Sequence, residues 1–312
     1  MATGLMTKKK NNKMKKVKYI LTALVLSSSL LLASTSSAMS DTQKTLVIID
    51  TGVNTQIPEV RQAIVEEACF IEYGVCPNGQ ASMIGLGAAT ILPTQTKNKS
   101  FDHGTQMVSV ALQVDQKVKI VFIRIVGMTT KGNPNSYTTR GLATALAWVE
   151  QNASRLNVGA VSASIGREYK ETACPTESFL VEKITSLSKA GIPTFFSAGN
   201  SYGKPNYPAC ITEAITIGAT EPSYYIKKEL INAVANYSGT GDFVDFYAVG
   251  RFSAMKLDGS VARTTGSSNS TSAVATYWVK TSSSYESLKS NALDAMTSKR
   301  VIIPKSVVKV IP

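Results

Sequence analysis

The sequence predicts an α/β fold with a mostly parallel central sheet and helices on both faces. Three observations carry that prediction. Short, β-rich apolar runs alternate with segments of helical periodicity, which is the pattern of βα units. The runs are apolar enough to be strands covered on both sides. The 312 residues suffice to bury one large core, and no internal repeat interrupts the alternation.

Taken in chain order, residues 1–38 are expected to be a signal peptide, leaving 39–312 as a single domain. Lys8, Lys9, Lys10, Lys13, Lys15, Lys16 and Lys18 precede the apolar run Ile20–Ala33. That run ends in Ser34-Thr35-Ser36-Ser37-Ala38, with small residues where a signal peptidase inspects the chain, so cleavage is placed after Ala38. The run is short for a hydrocarbon layer of ~30 Å, and no later stretch is longer and equally apolar. No cysteine stands directly after it to carry a lipid. The expected product is a secreted or periplasmic protein, off the membrane once the signal is removed. The net charge of +12 resembles a nucleic-acid signature only until its distribution is considered. Seven of the positive charges stand in the leader, and the rest are spread without a cluster, so no nucleic-acid partner is implied.

The first strand is predicted over Thr45–Ile49, followed by the turn Asp50-Thr51-Gly52. Glu72–Lys99, rich in Gly, Asn, Thr and Pro, reads as a loop-bearing excursion. A helix opens near His103, and further strands are predicted over Val118–Ile125, Ala160–Ser164, Pro193–Ser197, Ala214–Ala219 and Phe243–Tyr247. Between them, Arg140–Ala153 carries Leu142, Leu146 and Val149 at helical spacing. Phe179–Ala190 does the same with Phe179, Ile184 and Leu187, until Gly191-Ile192-Pro193 stops it. The segment that becomes apolar from Ala273 reads as a last helix.

Export makes Cys69, Cys76, Cys174 and Cys210 disulfide candidates rather than metal ligands. Cys69 with Cys76 closes a short loop and leaves Cys174 with Cys210, one of three connectivities open to four cysteines. Zinc is disfavoured, because only Cys69 and Cys76 are close together and the chain has a single histidine.

In an open parallel sheet, functional groups gather beyond the carboxyl ends of the strands. Asp50 stands there, His103 lies in Asp102-His103-Gly104-Thr105, and Ser268 lies in Gly266-Ser267-Ser268. Each has a plain structural reading when taken alone. Asp50 suits a turn cap, His103 a helix start, the Ser/Thr run a loop or cap, and Asn200 a strand end. Together they suggest a nucleophile, a base and an orienting carboxylate. A nucleotide-binding α/β protein would instead need a glycine-rich phosphate loop after the first strand, and Asp50-Thr51-Gly52-Val53-Asn54 has none.

Ile48-Ile49-Asp50-Thr51-Gly52, His103-Gly104-Thr105 and Gly266-Ser267-Ser268-Asn269-Ser270 together resemble the three motifs of the subtilisin-like serine proteases, the subtilases. Ala198-Gly199-Asn200, followed by Tyr207-Pro208-Ala209 and Ile217-Gly218-Ala219, is similar to the segment that carries that family's oxyanion-binding asparagine. Val161-Ser162-Ala163-Ser164-Ile165-Gly166 and Ala235-Asn236-Tyr237-Ser238 extend the likeness over Thr45–Thr297. The resemblance implies a subtilisin-like sheet and a triad of Asp50, His103 and Ser268. It implies an oxyanion hole made by Asn200 and the Ser268 backbone N–H, and a polypeptide substrate held between Ser164-Ile165-Gly166 and the stretch Gly127–Tyr137. Tyr137 either lines an outer pocket or covers the core.

No cofactor is required for that chemistry. A structural calcium ion is implied by the family, without ligands that can be assigned here. Three positions depart from the family pattern: Gln106 for a second histidine, Asn269 for methionine and Ser272 for proline. None removes a catalytic group. The first strand follows the expected cleavage too soon for a folding-assistant pro-segment, as in exported toxin subunits of subtilase type, so a partner chain is one expectation. A catalytically silent peptide-binding module on the same scaffold is the alternative to an enzyme.

Overall fold

The computed structural model describes residues 43–169, 173–203, 206–221, 224–226, 229–231, 233–291, 293–294 and 300–301. The expected signal peptide lies outside them. The strands of the main sheet are β1 (Thr45–Asp50), β2 (Ile64–Phe70), β3 (Ser82–Ile84), β4 (Lys119–Arg124), β5 (Val158–Ala163), β7 (Thr194–Ser197), β9 (Ile215–Thr220), β12 (Phe246–Val249), β15 (Leu293–Asp294) and β16 (Arg300–Val301). Their order across the sheet is β15-β16-β12-β9-β7-β5-β1-β4-β2-β3. Pairing is parallel throughout except at the two ends, where β3 joins β2 and β15 joins β16 antiparallel. Three two-stranded ribbons lie outside the main sheet: β6 (Arg167–Glu168) with β8 (Asn206–Tyr207), β10 (Tyr224–Ile226) with β11 (Glu229–Ile231), and β13 (Arg251–Met255) with β14 (Val261–Thr265).

The helices are α1 (Pro58–Ala63), α2 (Asp102–Val114), α3 (Thr139–Asn152), α4 (Ser178–Lys189), α5 (Ser267–Thr281) and α6 (Tyr285–Asn291). Alternation along β1 assigns them to faces. Val47 and Ile49 belong to one core with Val121 and Ile123, covered by Leu142, Leu146 and Val149 of α3 and by Leu180, Ile184 and Leu187 of α4. Leu46 and Ile48 belong to the other core with Ile120 and Phe122, covered by Met107 and Val108 of α2 and by Val274 and Val279 of α5. Asp50 continues the even-numbered register. Its carboxylate therefore emerges on the side where α2 and α5 pack against each other.

The strand expected over Phe243–Tyr247 forms over Phe246–Val249, the helix expected to be last is followed by α6, and two further points differ from the sequence reading. The excursion is partly sheet: β2 precedes it and β3 folds back on β2, with Cys69 opposite Met83. Glu66 and Glu67 hide β2 from an apolar-run search. Glu67 is buried, and its carboxylate accepts the Gly87 and Ala89 amides and the Thr90 hydroxyl, which satisfies the charge. Phe179 is an exposed ring beneath the Arg140 guanidinium, and Leu180 takes the core position. No helix among the described residues is long and apolar enough to cross a membrane.

Candidate active site

Two glycines let β1 and α2 meet. Gly52, with a positive φ of 147°, turns the chain after Asp50. A Cβ on Gly104 would overlap the Gly52 carbonyl oxygen and lie 2.8 Å from Phe122. The close approach puts His103, in the first turn of α2, against the end of β1. Asp50 is fully buried. Its Oδ1 accepts the Thr51 backbone N–H at 2.7 Å, and the Thr51 hydroxyl accepts the Gly104 N–H at 3.2 Å. His103 Nδ1 lies 2.8 Å from Asp50 Oδ1 and 2.9 Å from Oδ2. A carboxylate accepts, so Nδ1 carries the proton and the neutral ring presents a basic Nε2. Burial pulls the imidazole pKa down, but the charge of Asp50 and its hydrogen bond outweigh that and leave it above the usual 6.5. The ring keeps 32 % of its surface, enough to meet a substrate.

The serine arrives on α5. Gly266 begins the helix, and Ser267 N–H donates to Asn200 Oδ1 at 2.9 Å. The Ser267 hydroxyl contacts the Gly199 carbonyl at 3.0 Å and Asn200 Oδ1 at 3.1 Å. With Oδ1 so held, the Asn200 NH₂ is left for a ligand, and it lies 3.3 Å from where a Gly266 Cβ would stand. Ser268 follows, 9 % exposed, and the Ser164 hydroxyl donates to its carbonyl at 3.2 Å. The Ser/Thr run continues as buried helix because every side chain from Asn269 to Ser272 finds a carbonyl. Asn269 donates to Gly250, Ser270 to Ala248, Thr271 to Ser267 and Ser272 to Met107. The departures at Asn269 and Ser272 are therefore absorbed into the packing of α5.

His103, Ser268 and Asn200 face one cleft of about 390 Å³, with Ser164 and Gly166 on its wall. His103 and Ser268 share no direct hydrogen bond in this cleft, a separation common before substrate binds. Ile165 turns inward and is 7 % exposed. Gly127 and Tyr137 lie outside the cleft lining. The Gly127 carbonyl accepts Asn135 N–H, and Tyr137 packs on the core beside α3 and α4, where burial pushes its hydroxyl up to about 12. Two further cavities, of about 460 and 440 Å³, open away from this trio. The cysteines pair as Cys69–Cys76 and Cys174–Cys210.

No separate part is read from the sequence for Ser267, which holds Asn200 Oδ1, or for Asn206, which lines the cleft. Ser267 was masked by its serine-rich surroundings. Asn206 directly precedes Tyr207-Pro208-Ala209, and that adjacency was the available signal. Among the described residues, no group of three or more His, Cys, Asp or Glu side chains comes together.

A buried carboxylate fixed on an imidazole, sharing a cleft with a helix-start serine and a free amide donor, is the arrangement of a serine hydrolase. The model of the subtilase family matches residues 42–305. The chain belongs to that family and is a serine endopeptidase of its type. Solved structures with the same fold include a cold-adapted subtilisin-like serine proteinase, 22% identical over 82% of this chain and 87% of its own, with a TM-score of 0.59. Sphericase is 19% identical over 81% and 85%, with a TM-score of 0.59. A mutant of the protease domain of PatA is 14% identical over 86% and 96%, with a TM-score of 0.62. No curated protein matches the chain.

Proposed function

We propose that this protein is an exported endopeptidase that cleaves peptide bonds through an acyl-enzyme on Ser268. The bifurcated contact between His103 Nδ1 and Asp50 is the observation that carries the reading, because it sets the tautomer in which Nε2 is a base. In the first step Ser268 Oγ attacks the substrate carbonyl and its proton passes to His103 Nε2. The carbonyl electron pair moves onto oxygen, where the Asn200 NH₂ and the Ser268 backbone N–H receive it. Collapse breaks the C–N bond, and His103 returns the proton to the departing amine. Water, deprotonated by the same imidazole, then releases the acid and restores Ser268. Each oxyanion donor contributes about 3 to 4 kcal/mol in such sites, and Asp50 steadies the imidazolium throughout. Export is supported by the lysine-rich, apolar leader of the sequence and by two disulfides among the described residues.

A fluorophosphonate tests the reading directly. Stoichiometric labelling of Ser268 that disappears in His103→Ala is the expected result. Folded protein that takes no label would make the chain a silent peptide-binding module.

A further inference from the structure

Asp50 reaches the cleft from the end of β1, His103 from the first turn of α2 and Ser268 from the start of α5. His103 and Ser268 share no hydrogen bond, so their separation is set by whatever holds these segments. Leu257, at the tip of the ribbon β13–β14, touches two of them through its backbone. Its N–H donates to Asp102 Oδ1 at 3.0 Å, beside His103, and its carbonyl accepts Asn54 Nδ2 at 2.7 Å, in the turn that follows Asp50. Only the two soft dihedrals of one residue lie between that N–H and that carbonyl. The pair of bonds therefore sets the distance from the start of α2 to the turn after β1. Asn54 and Leu257 are each 4 % exposed, so water has little access to replace the bonds. Asn54 is itself held, its N–H by the Thr105 hydroxyl at 3.1 Å and its Oδ1 by the Gln56 N–H at 2.9 Å.

The ribbon is built to present that tip. Lys256 N–H donates to the Ser260 carbonyl at 2.8 Å, Gly259 N–H to the Lys256 carbonyl at 2.9 Å, and Asp258 Oδ1 accepts the Ser260 N–H at 2.9 Å. Along β13, Met255 N–H donates to the Ser109 hydroxyl at 3.0 Å and the Ser253 carbonyl accepts Gln113 Nε2 at 3.0 Å, which lays the strand along α2. The return strand β14 ends at Thr265 and leads through Gly266 and Ser267 into Ser268. One ribbon thus braces the Asp50–His103 pair at its tip and delivers the nucleophile at its base. We propose that Asp102 is a positioning residue of the triad: by holding the Leu257 N–H it keeps His103 in register with Asp50 and Ser268. The task needs an acceptor oxygen and not a negative charge, so an amide in the same place performs it. This rests on the peptidase reading above.

The experiment measures kcat, KM and the pH profile of the full protein on a quenched peptide, with fluorophosphonate labelling of Ser268 and denaturant melts in parallel. Asp102→Ala is expected to lower kcat by on the order of tenfold, the effect of a slight misplacement, with KM unchanged because the substrate keeps its own contacts. Its acid limb should move down toward pH 6.5, because the contact with Asp50 that raises the His103 pKa is loosened. Asp102→Asn, which keeps the acceptor and removes the charge, should retain both the kcat and the limb of the unaltered protein. Asn54→Ala frees the other side of Leu257 and should lower kcat in the same way. The double variant Asp102→Ala/Asn54→Ala should fall no further than the larger single loss, since both act through one residue. An Asp102→Asn protein as impaired as Asp102→Ala overturns the proposal, because the charge would then be what matters. So does Asp102→Ala with unchanged kcat and limb, even if it melts earlier. Should Asp102→Ala not fold, a fully active Asn54→Ala overturns the proposal in its place. Folded, unaltered protein that neither labels nor cleaves overturns the peptidase reading and this inference with it, whereas labelling and cleavage that are normal in every variant overturn only the role of Asp102.

Discussion

Gly104 holds the Asp50–His103 pair together by having no side chain. Any Cβ there would push α2 away from the Gly52 carbonyl and from Phe122. Gly104→Ala is therefore expected to destabilise the fold by about 1 to 3 kcal/mol. Because it shifts His103 relative to Ser268, it should also lower kcat by on the order of a hundredfold. Denaturant melts and steady-state kinetics read the two effects separately. The imidazole makes a second prediction. Its pKa is raised above 6.5 because the charge and hydrogen bond of Asp50 outweigh burial, so the acid limb of the kcat/KM profile should lie above pH 6.5. In Asp50→Asn the charge is gone while burial remains. The limb should then move below pH 6.5, with activity lower by on the order of ten-thousandfold. The folded state also holds this proton more tightly than the unfolded one. The corresponding stabilisation is complete below pH 6.5 and is lost as the pH rises through the folded value, and His103→Gln should abolish that pH dependence in unfolding experiments. Ser267 acts one step back from the chemistry, by gripping Asn200 Oδ1. Ser267→Ala should reduce kcat by about tenfold with KM unchanged, and the loss should vanish in an Asn200→Ala background, the non-additivity expected of two residues serving one donor.

At the scale of elements, α5 shows why legibility in the sequence was uneven. The strands that carry Asp50 and Asn200, and the helices α3 and α4, were visible because their apolar residues recur at the period of the structure they form. Asp50, His103 and Ser268 could be singled out because they sit near glycines at strand and helix ends. The first half of α5 was not, because a Ser/Thr run normally competes with helix by bonding to its own backbone. Here the Ser270 and Ser272 hydroxyls reach carbonyls of β12 and α2, and the Asn269 amide reaches the Gly250 carbonyl in the turn after β12, relations made by tertiary packing that no local window contains. The same cause hid β2, whose Glu67 is accommodated by amides some twenty residues further on. Gly127 and Tyr137 show the reverse case. The segment was singled out in the sequence, but where its backbone and its aromatic ring lie is set by the turn in which Asn135 N–H closes on the Gly127 carbonyl, which no local window shows. If α5 is held by these cross-element bonds, Asn269→Ala should cost about 1 to 2 kcal/mol in denaturant unfolding and Ser272→Ala a similar amount. Surface serines of α6 such as Ser290 should cost nearly nothing.

Across the whole molecule, the two disulfides act at different reaches. Cys69–Cys76 spans 7 residues at the outer edge of the sheet, where β2 meets the excursion. Cys174–Cys210 spans 36 residues and joins two segments that flank the cleft. Glu177, just beyond Cys174, accepts the Tyr207 hydroxyl at 3.2 Å, and the Cys210 N–H donates to the Asn206 carbonyl. Restricting the unfolded chain is worth more for the longer loop: by the loop-entropy relation, about 4 kcal/mol for Cys174–Cys210 against about 2 kcal/mol for Cys69–Cys76. Paired alanine substitutions should therefore lower stability in that order, although Cys69 and Cys76 are the more deeply buried sulfurs. A cavity effect alone would give the opposite ranking. Guanidinium unfolding of the two double variants, each compared with the oxidised protein, distinguishes the cases. A larger loss from Cys69→Ala/Cys76→Ala would show that packing at the sheet edge, and not closure of the segment around β8, is what the disulfides protect.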